Sequence, residues 1–266
     1  GAREMDWICA TYQTIAGAAA PGCVTGKSLA MGGSPGRVVA TGRSTMLAAR
    51  AMAAYLGWSL EGRTVAIQGF GNVGSIAARL LVAEGADVVA VSDSRGGVLD
   101  EAGLRIGAAI ATKDATGAVG ELEGVQVIEN RELLTMDVDI LIPAALENAI
   151  DRSIAERLEA ALVVEGANGP LTPAADAVLT DRGIPVVPDV FANVGGVTVS
   201  YFEWVQNRQG QRWDRGRVLD QLDAHVERAF DGLIETYERR DLDSLRTAAY
   251  VVGIERIIDA MTAAGH

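Results

Sequence analysis

Histidine, lysine and cysteine are nearly absent from this 266-residue chain, which has two of each. Cys9 and Cys23 have no CxxC or HxxxH partner, so no zinc site is expected. His225 falls in a helical stretch and His266 is the last residue, which leaves a His-based triad or His metal centre without its residues. Both histidines are expected at the surface. Long apolar runs are missing too, since none approaches the roughly 18 residues a spanning helix needs. The opening GAREMDWICA lacks the basic-then-apolar layout of a signal peptide. Membrane insertion and secretion are therefore not expected, and a cytoplasmic location is. Positive charge is also short, with a formal net charge of −12. Such a chain repels a phosphate backbone, so nucleic acid is not an expected partner.

What the chain has instead is apolar substance, 49 % hydrophobic against 22 % charged, the balance of a soluble globular protein. At roughly 100–200 residues per domain, one large domain or one domain with extensions is expected. Residues 3–16 carry apolar side chains at helical spacing, and 20–37 form a loop dense in Gly and Pro. A helix is predicted from about Thr45 to Leu56, ended by Gly57. Short apolar runs then alternate with helical patterns. Strands are predicted at 64–68, 87–92, 125–128, 138–143, 161–166 and 184–188, and helices at 72–85, 99–112 and 172–183. Val/Ile-rich strands between helices argue for a parallel sheet covered on both faces. From about Val194 the pattern turns helical, with long segments near 214–239 and 243–263. The expected fold is α/β, a Rossmann-like doubly wound, mostly parallel sheet with a helical C-terminal tail.

The strongest local signal is GFGNVG, Gly69 to Gly74, which follows a strand and opens a helix as the G-x-G-x-x-G turn requires. Gly69 permits the tight turn, Gly71 lets backbone approach a pyrophosphate, and Gly74 lets helix pack on strand. The helix N-terminus offers free N–H groups to the phosphates. The next strand ends at Asp93, whose carboxylate suits an adenosine ribose and repels a 2′-phosphate. That favours NAD, although Arg95 two residues on suits the phosphate of NADP.

GCVTGKS (22–28) imitates a phosphate-binding P-loop but is one residue short, with Pro21 where the first Gly belongs. Without the right nest of N–H groups no triphosphate is cradled, and Lys27 is expected to be a solvated loop lysine. The stretch 165–207 is rich in small residues and amides. Asn168 follows a strand, where open parallel sheets bind ligands. Asn193, Gly195, Gly196 and Ser200 lead into a helix whose N–H groups and hydroxyl suit a carboxylate, or whose glycines only permit its start.

These motifs, in order along the chain, resemble the glutamate dehydrogenase family, within the wider Glu/Leu/Phe/Val dehydrogenase group. The matching stretches are GAREMDWI (1–8), VTGK (24–27), GGSPGR (32–37), ATG (40–42), the strand with GFGNVG (64–74), VSDSRGG (91–97), IPAALEN (142–148), EGANGP (165–170) and PDVFANVGGVTVSYFEWVQN (188–207). The resemblance implies reversible oxidative deamination of L-glutamate to 2-oxoglutarate and ammonia with NAD, or NADP, as hydride acceptor. It places Thr41 and Asn72 at the nicotinamide end and Asn168 near the nicotinamide ribose. Ser200 would grip the substrate's side-chain carboxylate, with Val197 lining the pocket. A hydroxyl there favours glutamate, whereas relatives acting on branched or aromatic amino acids want an apolar residue. Arg43, after ATG, is a minor departure. The full candidate set is Thr41, Gly69, Phe70, Gly71, Asn72, Val73, Gly74, Asp93, Ser94 and Asn168 for the cofactor, and Asn193, Val197 and Ser200 for the substrate.

The resemblance also implies a preceding substrate domain whose lysines bind glutamate and perform acid/base chemistry, a role that needs a desolvated amine. Lys27 matches the loop motif and Lys113 sits in an expected surface helix, so no catalytic residue and no metal ligand is assigned to this chain. It is expected to be the cofactor-binding part of a longer parent, inactive alone, and a monomer or weak oligomer where the parent is a homo-hexamer. The expected division is an N-terminal segment over 1–44, a dinucleotide-binding domain over 45–207 and C-terminal helices over 208–266. The alternatives are a non-catalytic NAD-binding module and a Leu/Phe/Val-type amino-acid dehydrogenase.

Overall fold

The computed structural model describes residues 1–265, so the expectation for His266 lies outside the described residues. Seven strands form one sheet: β1 (Thr64–Gln68), β2 (Asp87–Asp93), β3 (Gly96–Leu99), β4 (Gln126–Ile128), β5 (Ile140–Pro143), β6 (Leu162–Val164) and β7 (Val186–Val187). Their order across the sheet is β4-β3-β2-β1-β5-β6-β7. β2, β1, β5, β6 and β7 run parallel, while β3 and β4 are antiparallel. The chain leaves β1 toward β2 on one side and returns to place β5 on the other. The topological switch point therefore lies between β1 and β5, outside whose carboxyl ends such sheets bind ligands.

The helices are α1 (Ala2–Ala16), α2 (Arg37–Tyr55), α3 (Asn72–Ala83), α4 (Ile106–Thr116), α5 (Asn130–Leu133), α6 (Arg152–Ala155), α7 (Pro173–Asp181), α8 (Asp189–Ala192), α9 (Gly195–Gln209), α10 (Arg215–Arg239) and α11 (Leu245–Ala263). Ile67, Val91, Ile142 and Val164 point to one face, where Leu47, Leu81, Leu222 and Val226 complete a core with α2, α3 and α10. Ala66, Val89, Leu141 and Val163 point to the other, covered by Leu133, Ile154, Leu158 and Leu179. The period-two alternation of the strands is what divides the apolar residues between the two layers. Among the described residues no helix is long and apolar enough to cross a membrane.

Besides the unpredicted short helices α5, α6 and α8, two helices begin away from their predicted starts. α2 starts at Arg37, eight residues before the predicted Thr45, so a division at 44/45 falls inside a helix. Gly42, a helix breaker by propensity, is buried in its middle because a Cβ there would stand 2.7 Å from the Ile76 side chain of α3. Tertiary packing overrides propensity at that contact. The helix predicted over 99–112 begins only at Ile106, and Leu99 belongs to β3. Ser94 and Arg95 form a two-residue turn between paired Asp93 and Gly96, a hairpin hidden by a run that mixes both periodicities. His225 is exposed on α10.

Candidate functional site

The turn after β1 takes the geometry its glycines permit. Gly69 has φ +94°, and its own N–H donates to the Ser92 carbonyl at 2.9 Å, tying the turn to β2. A Cβ on Gly74 would lie 1.8 Å from the Gly69 carbonyl oxygen, so α3 can approach β1 only with glycine there. A Cβ on Gly71 would meet nothing within 4 Å. Gly71 is also the N-cap of α3 with no side-chain cap, which leaves the first N–H groups of the helix open beside free space. A backbone this open, at uncapped N–H groups, fits the pyrophosphate of a dinucleotide.

Beside the turn, a cleft of about 840 Å³ lies over the switch point. Val73 contributes from α3, Ala144–Glu147 follow β5, and Gly166–Asn168 follow β6. Thr41 of α2, next to the Gly42 that packs against Val73, completes the lining with Asn193, Val197 and Ser200 around the start of α9. The structure thus brings together Thr41, Val73, Asn168, Asn193, Val197 and Ser200, which are scattered over 160 positions of sequence. Asn193 Nδ2 donates to Asn168 Oδ1 at 2.7 Å, so the two amides form one unit. Gly69, Gly71, Asn72 and Gly74 stand in the adjoining turn.

Two residues of the candidate set are placed differently. Phe70 buries its ring in the core at 2 % exposure, leaving only its backbone in the turn. Asp93 is also buried, and both its oxygens are occupied. Oδ1 accepts from the Arg95 N–H at 2.9 Å and Oδ2 from the Val119 N–H at 2.8 Å, with Lys113 Nζ 3.5 Å away. Burial pushes this carboxyl up, but the Arg95 and Val119 N–H groups and the Lys113 ammonium together hold it below its ordinary value. The carboxylate expected to receive a ribose instead ties β2 to the segment after α4. Ser94 and Arg95 remain exposed beside a separate hollow of about 440 Å³.

Lys27 is the clearest correction. Its side chain is fully buried, with Nζ 2.6 Å from Glu203 Oε1 of α9 and 2.6 Å from the Val24 carbonyl. Glu203 also accepts the Gly26 N–H at 2.9 Å, so this lysine closes a loop onto α9 rather than reaching water. Lys113, expected on a surface helix, turns inward toward Asp93. The open alternative at the head of α9 resolves for Gly195. Its N–H donates to Ser44 Oγ at 2.9 Å, and a Cβ would fall 2.1 Å from the Ala40 carbonyl oxygen. That glycine lets α9 approach α2.

Among the cleft residues that carried no assigned role in the sequence are two polar ones from the N-terminal part of the chain. Arg37, the last residue of GGSPGR, donates from Nε to Ser200 Oγ at 3.2 Å. Thr25, within VTGK, also lines the cleft. Both sat in quoted motifs, but nothing local says that a loop near residue 25 and a helix at residue 200 share a wall. Arg43 is bidentate to Asp223 of α10, with Nε 2.6 Å from Oδ1, which gives that departure a structural partner.

Sheet order, glycine turn and cleft define a Rossmann-type α/β fold with its ligand-sized opening at the switch point. The family model described as Glutamate/Leucine/Phenylalanine/Valine dehydrogenase matches residues 32–265. NADP-specific glutamate dehydrogenase A1 of Halobacterium salinarum is 56 % identical over 266 residues, all of this chain and 64 % of that protein. NAD-specific glutamate dehydrogenase A of the same organism is 45 % identical, over 99 % of this chain and 60 % of that one. A crystal structure of hetero-hexameric glutamate dehydrogenase from Thermus thermophilus, in a leucine-bound form, aligns with a TM-score of 0.91 at 36 % identity, covering 97 % of this chain and 61 % of that chain. This chain belongs to the Glutamate/Leucine/Phenylalanine/Valine dehydrogenase family. It spans less than two thirds of the length of these relatives.

Proposed function

We propose that this chain provides the dinucleotide-binding surface and part of the substrate surface of a glutamate dehydrogenase. The reaction is reversible oxidative deamination of L-glutamate to 2-oxoglutarate and ammonia, in a cytoplasmic enzyme that works as a hexamer. The observation that carries this reading is the cleft itself, which is lined both by Val73 of the GFGNVG stretch and by the Arg37–Ser200 pair.

Bound there, NAD(P) supplies the hydride acceptor. The chain's own residues bind and orient. The α3 N-terminus and the open space at Gly71 receive the pyrophosphate. Thr41, Asn72 and the Asn168–Asn193 pair would hold the nicotinamide end, with Val73 lining the same cleft. Arg37 presents a guanidinium whose donors match a side-chain carboxylate, and Ser200, whose hydroxyl donates to the Gly196 carbonyl at 3.0 Å, would turn that proton to the same carboxylate. An apolar amino acid offers neither partner, and its site would leave the Arg37 charge unpaired, so glutamate is favoured over leucine, phenylalanine or valine. Both lysines of the chain are paired away from the cleft, Lys27 with Glu203 and Lys113 with Asp93, so no proton-transfer residue is assigned among these 266 positions.

Both cofactor forms are used by the relatives. The sequence leaned to NAD on the strength of Asp93, but that carboxylate is neutralised by Lys113 and turned inward. Arg95 is left as the exposed charge beside it, which supports NADP. Titration of the chain with NADH and NADPH by nicotinamide fluorescence tests the reading. Saturable binding of at least one, with little glutamate turnover by the 266-residue chain, is expected. Binding of neither by folded protein would refute it.

A further inference from the structure

Arg246 lies in the first turn of α11, outside the cleft, yet it meets three carboxylates from three different segments. Its Nη2 donates to Glu165 Oε1 at 2.7 Å, Nε and Nη2 fork onto Asp176 of α7 at 3.1 and 3.2 Å, and Nη1 donates to Asp189 Oδ1 at 3.4 Å. Glu165 is wholly buried, and its other oxygen accepts the Asp189 N–H at 2.7 Å. Asp189 in turn accepts the Gly169 N–H at 2.8 Å through Oδ2.

The topology of these bonds gives them a direction. Glu165 opens the loop that carries Asn168, and Asp189 opens the short α8 that ends at Asn193. Those two segments leave the Arg246 cluster separately and meet again in the cleft, where Asn193 Nδ2 donates to Asn168 Oδ1. A closed ring therefore runs from Arg246 through Glu165 to Asn168, across to Asn193, and back through Asp189. A buried carboxylate at 165 costs desolvation that an apolar side chain would avoid. What the charge adds is placement: two acceptor oxygens that lock the roots of both segments at once.

We infer that Arg246 is a positioning residue, which holds the Asn168–Asn193 pair where the nicotinamide end of the dinucleotide must sit. The inference rests on the dinucleotide reading above. The pyrophosphate turn at Gly69–Gly74 belongs to a different strand connection and makes no bond to this ring. Loss of the ring should thus separate the two ends of the ligand.

The test uses two ligands, NADPH (or NADH, whichever binds tighter) and the matching ADP-ribose, which lacks nicotinamide. Two variants are compared with wild type. Arg246→Lys keeps a cation but loses the planar fork, and Asp189→Ala cuts the tie to Gly169 while leaving Arg246 on Glu165 and Asp176. Each is expected to weaken dinucleotide binding about tenfold while ADP-ribose binding stays within about twofold of wild type. Unchanged affinity for both ligands would overturn the inference. Equal loss of both, with or without a fall in Tm, would also overturn it, because it would make Arg246 scaffold only. If wild type bound neither ligand, the dinucleotide reading itself would fail and carry this inference down with it.

Discussion

Lys27 Nζ lies 2.6 Å from Glu203 Oε1, and neither side chain reaches solvent. The pair joins the VTGK loop to α9, and the same α9 carries Ser200 one turn earlier. Removing one partner leaves a buried charge unpaired, which costs about 3–5 kcal/mol. Lys27→Met is therefore expected to lower the urea midpoint strongly. Lys27→Met combined with Glu203→Gln should recover part of the loss, since no net charge remains buried. A single variant as stable as wild type would show that the pair contributes nothing.

The glycine turn separates binding from folding. Gly71→Val adds a side chain to open space, so the protein should keep its Tm while losing the contacts of phosphate oxygens with the α3 N–H groups. Charge-assisted bonds of that kind contribute about 1.5–3 kcal/mol each, so affinity should fall roughly ten- to a hundredfold or more. Gly74→Ala behaves in the opposite manner. Its Cβ collides with the Gly69 carbonyl and the loss appears in stability first. Fluorescence titration beside thermal melts distinguishes the two.

Cofactor choice should reside in Arg95. Arg95→Ser is expected to weaken NADPH about ten- to a hundredfold, the loss of charge-assisted bonds to a 2′-phosphate, and to leave NADH nearly unchanged. Equal effects on the two forms would move the specificity determinant elsewhere, and tighter NADH binding by wild type would restore Asp93 to the role first expected of it.

Acid stability follows from Asp139 and Asp93. Burial pushes the Asp139 carboxyl up, but the Arg63 guanidinium, the Thr64 N–H and the Thr64 hydroxyl outweigh it and hold the carboxyl below its ordinary value of 3.8. Asp93 is likewise held low. Below the ordinary value the unfolded chain binds more protons than the native one, so stability falls as pH falls. This contribution is complete above the unfolded value and is lost as pH drops through the native one. Asp139→Asn should therefore be less stable at neutral pH and show a shallower acid slope in denaturant titrations between about pH 5 and pH 2.

The net charge of −12 predicts a salt response. Like charges on the folded surface repel, and screening shortens their reach from about 10 Å at 0.1 M salt to about 3 Å at 1 M. Tm should rise over that range. A fall would mean that ion pairs such as Arg43–Asp223 outweigh the general repulsion.

Much of this was legible in the sequence, for reasons of period and local chemistry. β1 and its helix were readable because Thr64–Gln68 is a short β-branched run and Gly69–Gly74 punctuates it. The long α10 and α11 were readable because apolar residues recur at helical spacing through them. Where the period was mixed, as over 94–105, the hairpin of β2 and β3 was lost. The start of α2 lies before its predicted place, and the contact that accommodates Gly42 inside it, with Ile76, crosses a helix interface.

What the sequence by itself determined was the α/β layering and the dinucleotide turn, each written in residues close together, and the family, written in short stretches that follow one another in order along the chain. Only the tertiary structure decided the partners of charged side chains. Lys27 went to Glu203, Asp93 to Lys113 and the Val119 N–H, Arg37 to Ser200, and Arg246 to three carboxylates at once. An ionic group is satisfied by whatever opposite charge or donor the fold brings within about 3 Å. Sequence spacing carries no record of that distance once it spans another element of the fold.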